Sequence, residues 1–330
     1  MKILRMFEID FVLPWVNGND PKWIALFNQF SPVKRTLIEE NFTSKERFED
    51  NGLLRYWFRC IARNAPWVHK VFFITNGQKP DWLNLNCEKL VWIRHADYIP
   101  TQYLPVFSAN PIELNLHRIK ELSDNFVYFN DDMFLINKID WSYYFNNNGL
   151  PCDFAILDKI PPEFIGHIIV NNLSEINTHF NKDDVIGKNK NKWFNLKYGI
   201  DLLRTLFFNQ SSAFTGFMST HSSQAFIKST FYEVWKNCQR ILSETSSNKF
   251  RSVNDVNQYL FRYWQLVTGK FNPVSPKGSA VFTKKPSISK LEKKIINSNI
   301  KEICINDGYY HEDVVKLFDK YYPEKSMFEM

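Results

Sequence analysis

The stretch NFVYFNDDMFL, residues 125–135, decides the fold and carries the first chemical signal. Its FVYF core of β-branched and aromatic residues predicts a strand over 125–129. Behind that strand, Asp131 and Asp132 would lie beyond the carboxyl end of a sheet, where open α/β sheets bind ligands. Carboxylate oxygens suit Mg²⁺ or Mn²⁺. Taken alone, such a pair is more often a solvated turn, so the metal hypothesis depends on the surrounding chain.

Upstream of this stretch, strands and helices alternate. Short apolar runs predict strands at 9–16, 68–75 and 89–97. Apolar residues at helical spacing predict amphipathic helices at 47–64 and 111–123. Strand, helix and strand in succession indicate parallel βαβ units. The sequence therefore predicts a Rossmann-like α/β sheet with helices on both faces.

The second half of the chain is less regular. Residues 160–215 are rich in Asn and Lys and are interpreted as an irregular or helical insertion. Helical periodicity returns at 226–242 and 253–269, and 270–281 is predicted to be a loop. We expect one domain over residues 1–330 that contains this insertion.

Bulk properties exclude several classes of protein. The net charge of +6 has local excesses in 188–192 and 285–294, which are more often solvated faces than binding sites. Where they do bind, an anionic partner such as a nucleotide-sugar, a lipid pyrophosphate or a membrane face fits. Nucleic acid is not predicted, because no recognised binding module occurs. The 16% aromatic residues lie mostly in apolar runs and indicate core.

Five scattered cysteines without CxxC spacing argue against a disulfide framework and a zinc site, and so favour a reducing cytoplasm. The chain starts with no signal-peptide pattern and has no apolar run long enough to span a bilayer. We expect a cytoplasmic protein, soluble or held at the inner face of the cell membrane.

Several blocks together resemble the Stealth family, the phosphotransferases of bacterial capsule and cell-wall polysaccharide, which includes the α/β subunit of animal N-acetylglucosamine-1-phosphotransferase. The stretch from RFEDNGLLRYWFRC to NFVYFNDDMFL is similar to the second conserved region. The other blocks, in chain order, are IDFVLPWVNGNDPKW (9–23), THSSQAFIKSTFYEVW (220–235), FRSVNDVNQYLFRYWQLVTGKF (250–271), CINDG (304–308) and YYPEKSMFE (321–329). Because these blocks occur in family order across nearly the whole chain, chance similarity is a poor explanation.

The resemblance implies a glycosyltransferase A-like fold and transfer of hexose-1-phosphate from a UDP-N-acetylhexosamine to a sugar hydroxyl. UMP would leave and a phosphodiester would form in a lipid-linked oligosaccharide or polysaccharide. One alternative is a metal-dependent glycosyltransferase that releases UDP. Another is a carbohydrate-binding or scaffold protein, which would not need distant residues to converge on one site.

The resemblance also implies roles for individual residues. Asp131 and Asp132 would hold the divalent metal, with Asp307 as a further ligand. Asp132 would also be a catalytic residue. Arg251 would donate to the transferred phosphoryl group through its planar guanidinium, although alone it is more often a surface ion-pair residue. His221 is the candidate general base, because imidazole accepts protons near neutral pH.

Nucleotide-sugar contacts are expected from polar residues after the first two strands and from two arginines. They are Asn17, Gly18, Asp20, Arg55, Asn76, Gly77 and Arg118. From spacing alone, the residues that follow the first strand would be an ordinary turn, since no phosphate-binding glycine motif is present. Arg118 could equally pair with Glu113 or Glu121 on its own helix.

Overall fold

The computed structural model describes residues 7–31, 48, 52–162, 165–276, 278–282, 287–305 and 312–330. Its central sheet has five strands in the order β3-β2-β1-β4-β7. They are β1 (Ile9–Pro14), β2 (Val71–Thr75), β3 (Leu90–Arg94), β4 (Asn125–Tyr128) and β7 (Gln224–Ile227). β1 to β4 are parallel, whereas β7 runs antiparallel to β4. The predicted α/β class with a largely parallel sheet is confirmed.

The strand order creates a topological switch point at β1. The chain passes from β1 to β2 and β3 on one side, and then returns to place β4 on the other side. In register, Phe11 of β1 pairs with both Val71 of β2 and Val127 of β4. Ligands in open α/β sheets bind outside the carboxyl ends of the strands at such a point. The acidic pair follows β4 directly, so it lies at this edge.

Helices cover both faces of the sheet. In chain order they are α1 (Pro21–Phe30), α2 (Leu54–Asn64), α3 (His95–Tyr98), α4 (Ala109–Leu114), α5 (Ile165–His179), α6 (Lys182–Lys188), α7 (Lys190–Trp193), α8 (Leu202–Phe208), α9 (Lys228–Asn237), α10 (Gln239–Ser247), α11 (Tyr259–Val267), α12 (Ile288–Ile295) and α13 (Glu312–Tyr321). Alternate residues of β1 enter different cores. Phe11 packs in a cluster with Trp57 of α2, and Val12 in a second cluster with Phe261 of α11.

A second, smaller sheet follows the acidic turn. It contains β5 (Met133–Leu135), β10 (Glu302–Ile305) and β9 (Ser279–Phe282), in that order. A two-stranded pair joins β6 (Cys152–Asp153) to β8 (Asn272–Pro273). The prediction of a loop over 270–281 was therefore wrong for β8 and β9. Strands this short carry too little periodicity to be detected in a single sequence.

Other boundaries also differ from the predictions. The predicted helix at 226–242 begins only at Lys228, because the preceding residues pair with β4, and it breaks at Cys238. The predicted helix at 111–123 is α4 followed by a 3₁₀ turn at Leu116–Arg118. Helices α5 to α8 occupy 165–208, while the description of that region as an insertion stays a prediction. None of the helices in the described ranges is long and apolar enough to cross a bilayer.

Two buried histidines should make stability depend on pH. Burial lowers the pKa of His95 to about 4, and burial beside Arg118 lowers that of His117 to about 3. An unfolded histidine has a pKa near ~6.5, so below that value the unfolded chain gains protons that the folded chain excludes. We expect each histidine to remove about 2 kcal/mol of unfolding free energy between pH 7 and pH 5.

The measurement is urea unfolding at both pH values for wild type, the His95→Gln/His117→Gln double variant and the exposed-site control His167→Gln. The double variant should lose less stability than wild type on acidification, and the control should match wild type. An equal loss in all three proteins would contradict the assignment.

Candidate active site

The loops after β1 and β2 are tied together by Gln78. The backbone N–H of Asn17 donates to Gln78 Oε1 at 2.9 Å, and Gln78 Nε2 donates to Asn17 O and to Asp20 Oδ2, both at 2.9 Å. Asn76 Oδ1 accepts from the Gln78 N–H, and Gly77 has a φ of 116° in the same turn. The structure thus brings together the polar residues that follow the first two strands. Their contact with a nucleotide-sugar stays a prediction.

Gly18 and Asp20 also have structural roles in this turn. The Gly18 N–H donates to Phe48 O at 2.6 Å, and a Cβ at position 18 would lie 2.5 Å from that oxygen, so a side chain would clash. Asp20 Oδ1 accepts from the Lys22 N–H and caps α1. The hydrogen bond from Gln78 helps to lower the pKa of Asp20. These roles account for both residues without a ligand.

The acidic turn is held by the small sheet. Asp132 O accepts from the Ile305 N–H at 2.9 Å, and Asp132 Oδ2 accepts from Cys304 Sγ at 3.2 Å. Burial, and then the nearby Asp132 carboxylate, raises the pKa of Cys304 far above its usual range, so the thiol stays protonated and acts as a donor. β10 therefore fixes both the backbone and the side chain of Asp132.

His221 reaches the same place from the antiparallel edge strand. Tyr128, the last residue of β4, pairs with Gln224, the first residue of β7, so the loop before β7 lies beside the turn after β4. Ligand atoms of His221, Asp132 and Cys304 all lie within 4.8 Å of one another. His221 has a φ of 47°, the one positive φ outside glycine among the residues described. Such strain is found where surrounding contacts impose it, often at functional sites.

This donor set fits a divalent cation with some selectivity. Carboxylate and imidazole together suit Mn²⁺ better than Mg²⁺, which prefers all-oxygen coordination. The Cys304 thiol donates to Asp132 and so orients that carboxylate. Asp131 lies in the same turn, and Asp307 lies outside the described residues.

Arg251 is linked to the acidic turn through a buried pair. Tyr128 donates from its hydroxyl to Glu113 Oε1 at 2.9 Å, and the Gln258 N–H donates to Glu113 Oε2 at 3.2 Å. Burial raises the pKa of Glu113, and the positive charge of Arg251 opposes that rise. The pKa of Tyr128 is raised mainly by burial, and the negative charge of Asp131 adds to that rise. Arg251 and Asp131 therefore both interact electrostatically with one buried pair.

The other two predicted arginines have different neighbours. Arg55 Nε lies 3.5 Å from Glu329 Oε2, and the Arg55 guanidinium carbon lies 5.2 Å from the centre of the Trp82 ring. Arg118 donates to Asn115 Oδ1 and stacks on Trp235 of α9. Ile119, the residue after Arg118, accepts from Lys228 Nζ, and Lys228 directly follows the pair of Ile227 with Asn125 at the start of β4. Arg118 therefore lies toward the amino end of β4. The structure does not bring Arg118 to the acidic turn.

A cavity of about 280 Å³ adjoins the His221 loop. Residues with hydroxyl, amide or charged groups form much of its wall; they include Tyr143, Tyr144, Ser219, Thr220, Ser222, Ser223, Gln224, Asp153, Arg262 and Glu302. Asp153 and Arg262 form a buried bidentate ion pair with both contacts at 2.8 Å. Glu302 accepts from the Ser223 N–H and hydroxyl, and burial raises its pKa to about 7. Glu302 and Cys304 project from the same face of β10, so cavity and acidic turn are neighbours.

Several residues of this arrangement were not predicted. Gln78 and Cys304 lie in blocks that carry the family resemblance but were given no role, and Glu302 lies just before such a block; all three act by supporting the predicted residues. The signal that could have located His221 beside Asp132 was the strand at 224–227, whose last two residues we assigned to the predicted helix at 226–242.

Sequence comparisons identify the relatives of this chain. The profile for Stealth protein CR1, conserved region 1, matches residues 7–32, and that for Stealth protein CR2, conserved region 2, matches residues 47–153. The chain is 40% identical to the capsular polysaccharide phosphotransferase WcwK of Streptococcus pneumoniae, over 98% of this chain and 99% of the relative. It is 37% identical to the receptor polysaccharide phosphotransferase WefC of Streptococcus gordonii, over 98% of this chain and 99% of the relative. It is 39% identical to the exopolysaccharide phosphotransferase cps2G of Lactiplantibacillus plantarum, over 91% of this chain and 88% of the relative.

The chain belongs to the Stealth family. The two matched Stealth regions contain the loops after β1 and β2 and the acidic turn. His221 and Arg251 lie outside both matched regions. Their link to this Stealth site is structural, through Asp132 for His221 and through the Glu113–Tyr128 pair for Arg251.

Cys304 should orient Asp132 in this Stealth protein through its S–H donor. Cys304→Val is close in size but removes the donor, whereas Cys304→Ser keeps one. We expect Mn²⁺ affinity, measured by titration calorimetry, to fall about tenfold or more in the Val variant and less in the Ser variant. Thermal unfolding of both variants controls for packing. Equal loss of affinity in both would show instead that the sulfur binds the metal directly.

Proposed function

We propose that this chain is a polysaccharide phosphotransferase that transfers hexose-1-phosphate from a UDP-sugar, most simply a UDP-N-acetylhexosamine, to a saccharide hydroxyl. The observation that carries the proposal is the convergence of Asp132 and His221, distant in sequence, at the carboxyl edge of β4. Full-length similarity to polysaccharide phosphotransferases supports the same reaction. A carbohydrate-binding scaffold would not require this convergence.

The proposed reaction is attack on phosphorus. The acceptor oxygen forms a bond to the phosphorus that carries the hexose, the bond from that phosphorus to the bridging oxygen of the diphosphate breaks, and UMP leaves with the bridging oxygen. The anomeric carbon–oxygen bond stays intact. His221 takes the proton of the acceptor hydroxyl, a task for which an imidazole is the commonest side chain.

Asp131 and Asp132, with Asp307 as a further candidate, would hold Mn²⁺ or Mg²⁺ at the diphosphate. A bound divalent cation neutralises phosphate oxygens and so lowers the cost of approach by the acceptor. Arg251 would donate to the non-bridging oxygens of the transferred group, held in place by the negative charges of Glu113 and Asp255.

Donor and acceptor would enter from different sides. Asn17, Gly18, Asn76 and Gly77 lie in the loops after β1 and β2, at the carboxyl ends of parallel strands where open α/β sheets bind ligands, so we place the nucleotide diphosphate there. The polar cavity beside the His221 loop supports a hydroxyl-rich acceptor, such as the sugars of a lipid-linked oligosaccharide. We assign no role to Arg118, given its contacts with Asn115 and Trp235, and only an indirect one to Arg55 beside Glu329.

³¹P NMR tests the reaction directly. Purified protein is incubated with UDP-N-acetylglucosamine or UDP-N-acetylgalactosamine, Mn²⁺ and a lipid-linked saccharide acceptor. We expect UMP together with a new phosphodiester signal, and loss of both when the metal is chelated, with recovery on adding Mn²⁺. UDP with no phosphorus in the glycan would instead identify a glycosyltransferase.

Substitution of His221 and Arg251 tests their roles. We expect His221→Ala and Arg251→Ala each to lower turnover at least about a hundredfold without loss of folding, because one removes the base and the other a phosphate donor. Arg240→Ala, at an exposed helical ion pair with Glu244, and His167→Ala are matched controls that should retain turnover.

Metal affinity separates the two roles that the geometry allows for His221. A general base leaves Mn²⁺ affinity nearly unchanged in His221→Ala, whereas a metal ligand weakens it in step with turnover. Near-normal turnover in both the His221 and Arg251 variants would contradict the proposed mechanism.

A further inference from the structure

Five large apolar side chains are exposed together on one segment of the surface. Leu196, Ile200, Leu203, Leu206 and Phe207 have exposed fractions of 88, 81, 62, 50 and 68%. Single exposed apolar residues are normal on protein surfaces, but a contiguous cluster of large ones marks an interaction site. Leu203, Leu206 and Phe207 share one side of α8, at positions i, i+3 and i+4. We refer to these five residues as the apolar patch.

The segment that carries the apolar patch is fixed to the protein by polar contacts. The Tyr198 hydroxyl donates to Lys192 O at 2.6 Å and accepts from the Ala155 N–H at 3.1 Å. Thr205 Oγ1, which is buried, accepts from the Leu157 N–H at 3.1 Å. A surface helix normally turns polar residues outward and apolar residues inward. Here the polar anchors face inward and large apolar side chains face solvent.

Basic residues lie next to the apolar patch in the sequence. Residues 188–207 contain four lysines and one arginine against one aspartate, a net charge of +4. Lys188, Lys190 and Lys197 are exposed, whereas Arg204 pairs with Asp201 at 3.4 Å and with Asp158 at 2.8 Å. The positive charge available to a partner therefore comes from these three lysines. Apolar side chains flanked by Lys and Arg are typical of segments that lie in the interface of an anionic membrane. A symmetric contact with a second copy would instead bring two such basic clusters together.

The segment that carries the apolar patch packs, on its buried side, near the segment that leads to His221. Leu202 packs with Met218 against Phe154, Ile156 and Tyr198. The Met218 N–H donates to Ile156 O at 2.9 Å, and the Asp158 N–H donates to Gly216 O at 3.1 Å, so 156–158 lies beside 216–218. The chain continues from Met218 directly into the loop that holds His221.

We propose that the apolar patch and its basic neighbours bind the anionic face of a membrane, with Leu203, Leu206 and Phe207 inserted at the headgroup boundary. Membrane binding itself does not depend on the reaction. Its use, to bring the first sugars of a lipid-linked acceptor to the His221 loop, rests on the proposed function.

Vesicle flotation of the full chain tests the binding. Wild type should float with vesicles of phosphatidylcholine and phosphatidylglycerol, and much less with phosphatidylcholine alone or at high salt. Leu203→Glu/Phe207→Glu should reduce the bound fraction about tenfold or more, and Lys188→Gln/Lys190→Gln should weaken it and its salt dependence. Ile296→Glu is the matched control, since Ile296 has the same exposed fraction, 62%, as Leu203.

Several outcomes would overturn the proposal. These are a wild type that does not float, patch variants that float as well as wild type, or a patch-dependent dimer in solution that excludes vesicle binding. Circular dichroism melting of each variant shows whether it is folded, and the lysine variant, which changes only exposed side chains, provides a test that does not alter packing.

Turnover with two acceptors tests the use of the patch. In the Leu203→Glu/Phe207→Glu variant, turnover of a membrane-embedded lipid-linked acceptor should fall about tenfold, while turnover of a detergent-free soluble saccharide stays at the wild-type rate. Equal loss on both acceptors would refute the positioning role. If wild type turns over neither acceptor, the proposed function fails, and flotation still decides the membrane contact.

Discussion

The four residues between β4 and β5 are the constraint on which the candidate site depends. Phe129 to Asp132 join a strand of the central sheet to a strand of the small sheet, so each end of this turn is fixed by a different ladder of hydrogen bonds. β10 adds a third restraint through the Ile305 N–H and the Cys304 thiol. A carboxylate held this way needs little reorganisation when a cation or phosphate arrives, which is the condition for effective electrostatic stabilisation. The small sheet is therefore part of the site.

The direction of β7 explains why His221 meets Asp132. A parallel edge strand would place the residues before it at the amino end of β4, away from the acidic turn. Because β7 is antiparallel, Gln224 pairs with Tyr128 and the preceding loop lies at the carboxyl end. Glu302 binds the backbone and the hydroxyl of Ser223, so β10 fixes this loop as well as the acidic turn. One strand of the small sheet thus positions both halves of the candidate catalytic pair.

These relations show what one sequence can and cannot predict. The parallel half was predictable, because apolar residues dominate β1, β2 and β4 and turn residues mark their ends. The acidic turn and the loop after β1 were correctly located for the same reason. The QAFI strand was missed, because its last two residues also fit the periodicity of the helix that follows and only pairing with β4 decides between strand and helix. Gln78, Cys304 and Glu302 depend on contacts across 58 to 172 residues, which no local pattern encodes.

Residues 155–157 and Met218 lie between the candidate site and the apolar patch. The contacts that hold them determine how a membrane could affect the reaction. Arg262, itself paired with Asp153 in the core, donates to Met218 O at 3.0 Å, while Tyr198 and Thr205 bind the 155–157 backbone from the other side. A segment held by buried charge and backbone hydrogen bonds does not deform easily, because each contact leaves a costly buried polar group when broken. Contact at the patch would therefore orient the whole site relative to the lipid surface without changing the geometry around His221. Orientation alone can raise the rate for an embedded acceptor, since it confines enzyme and acceptor to the same surface.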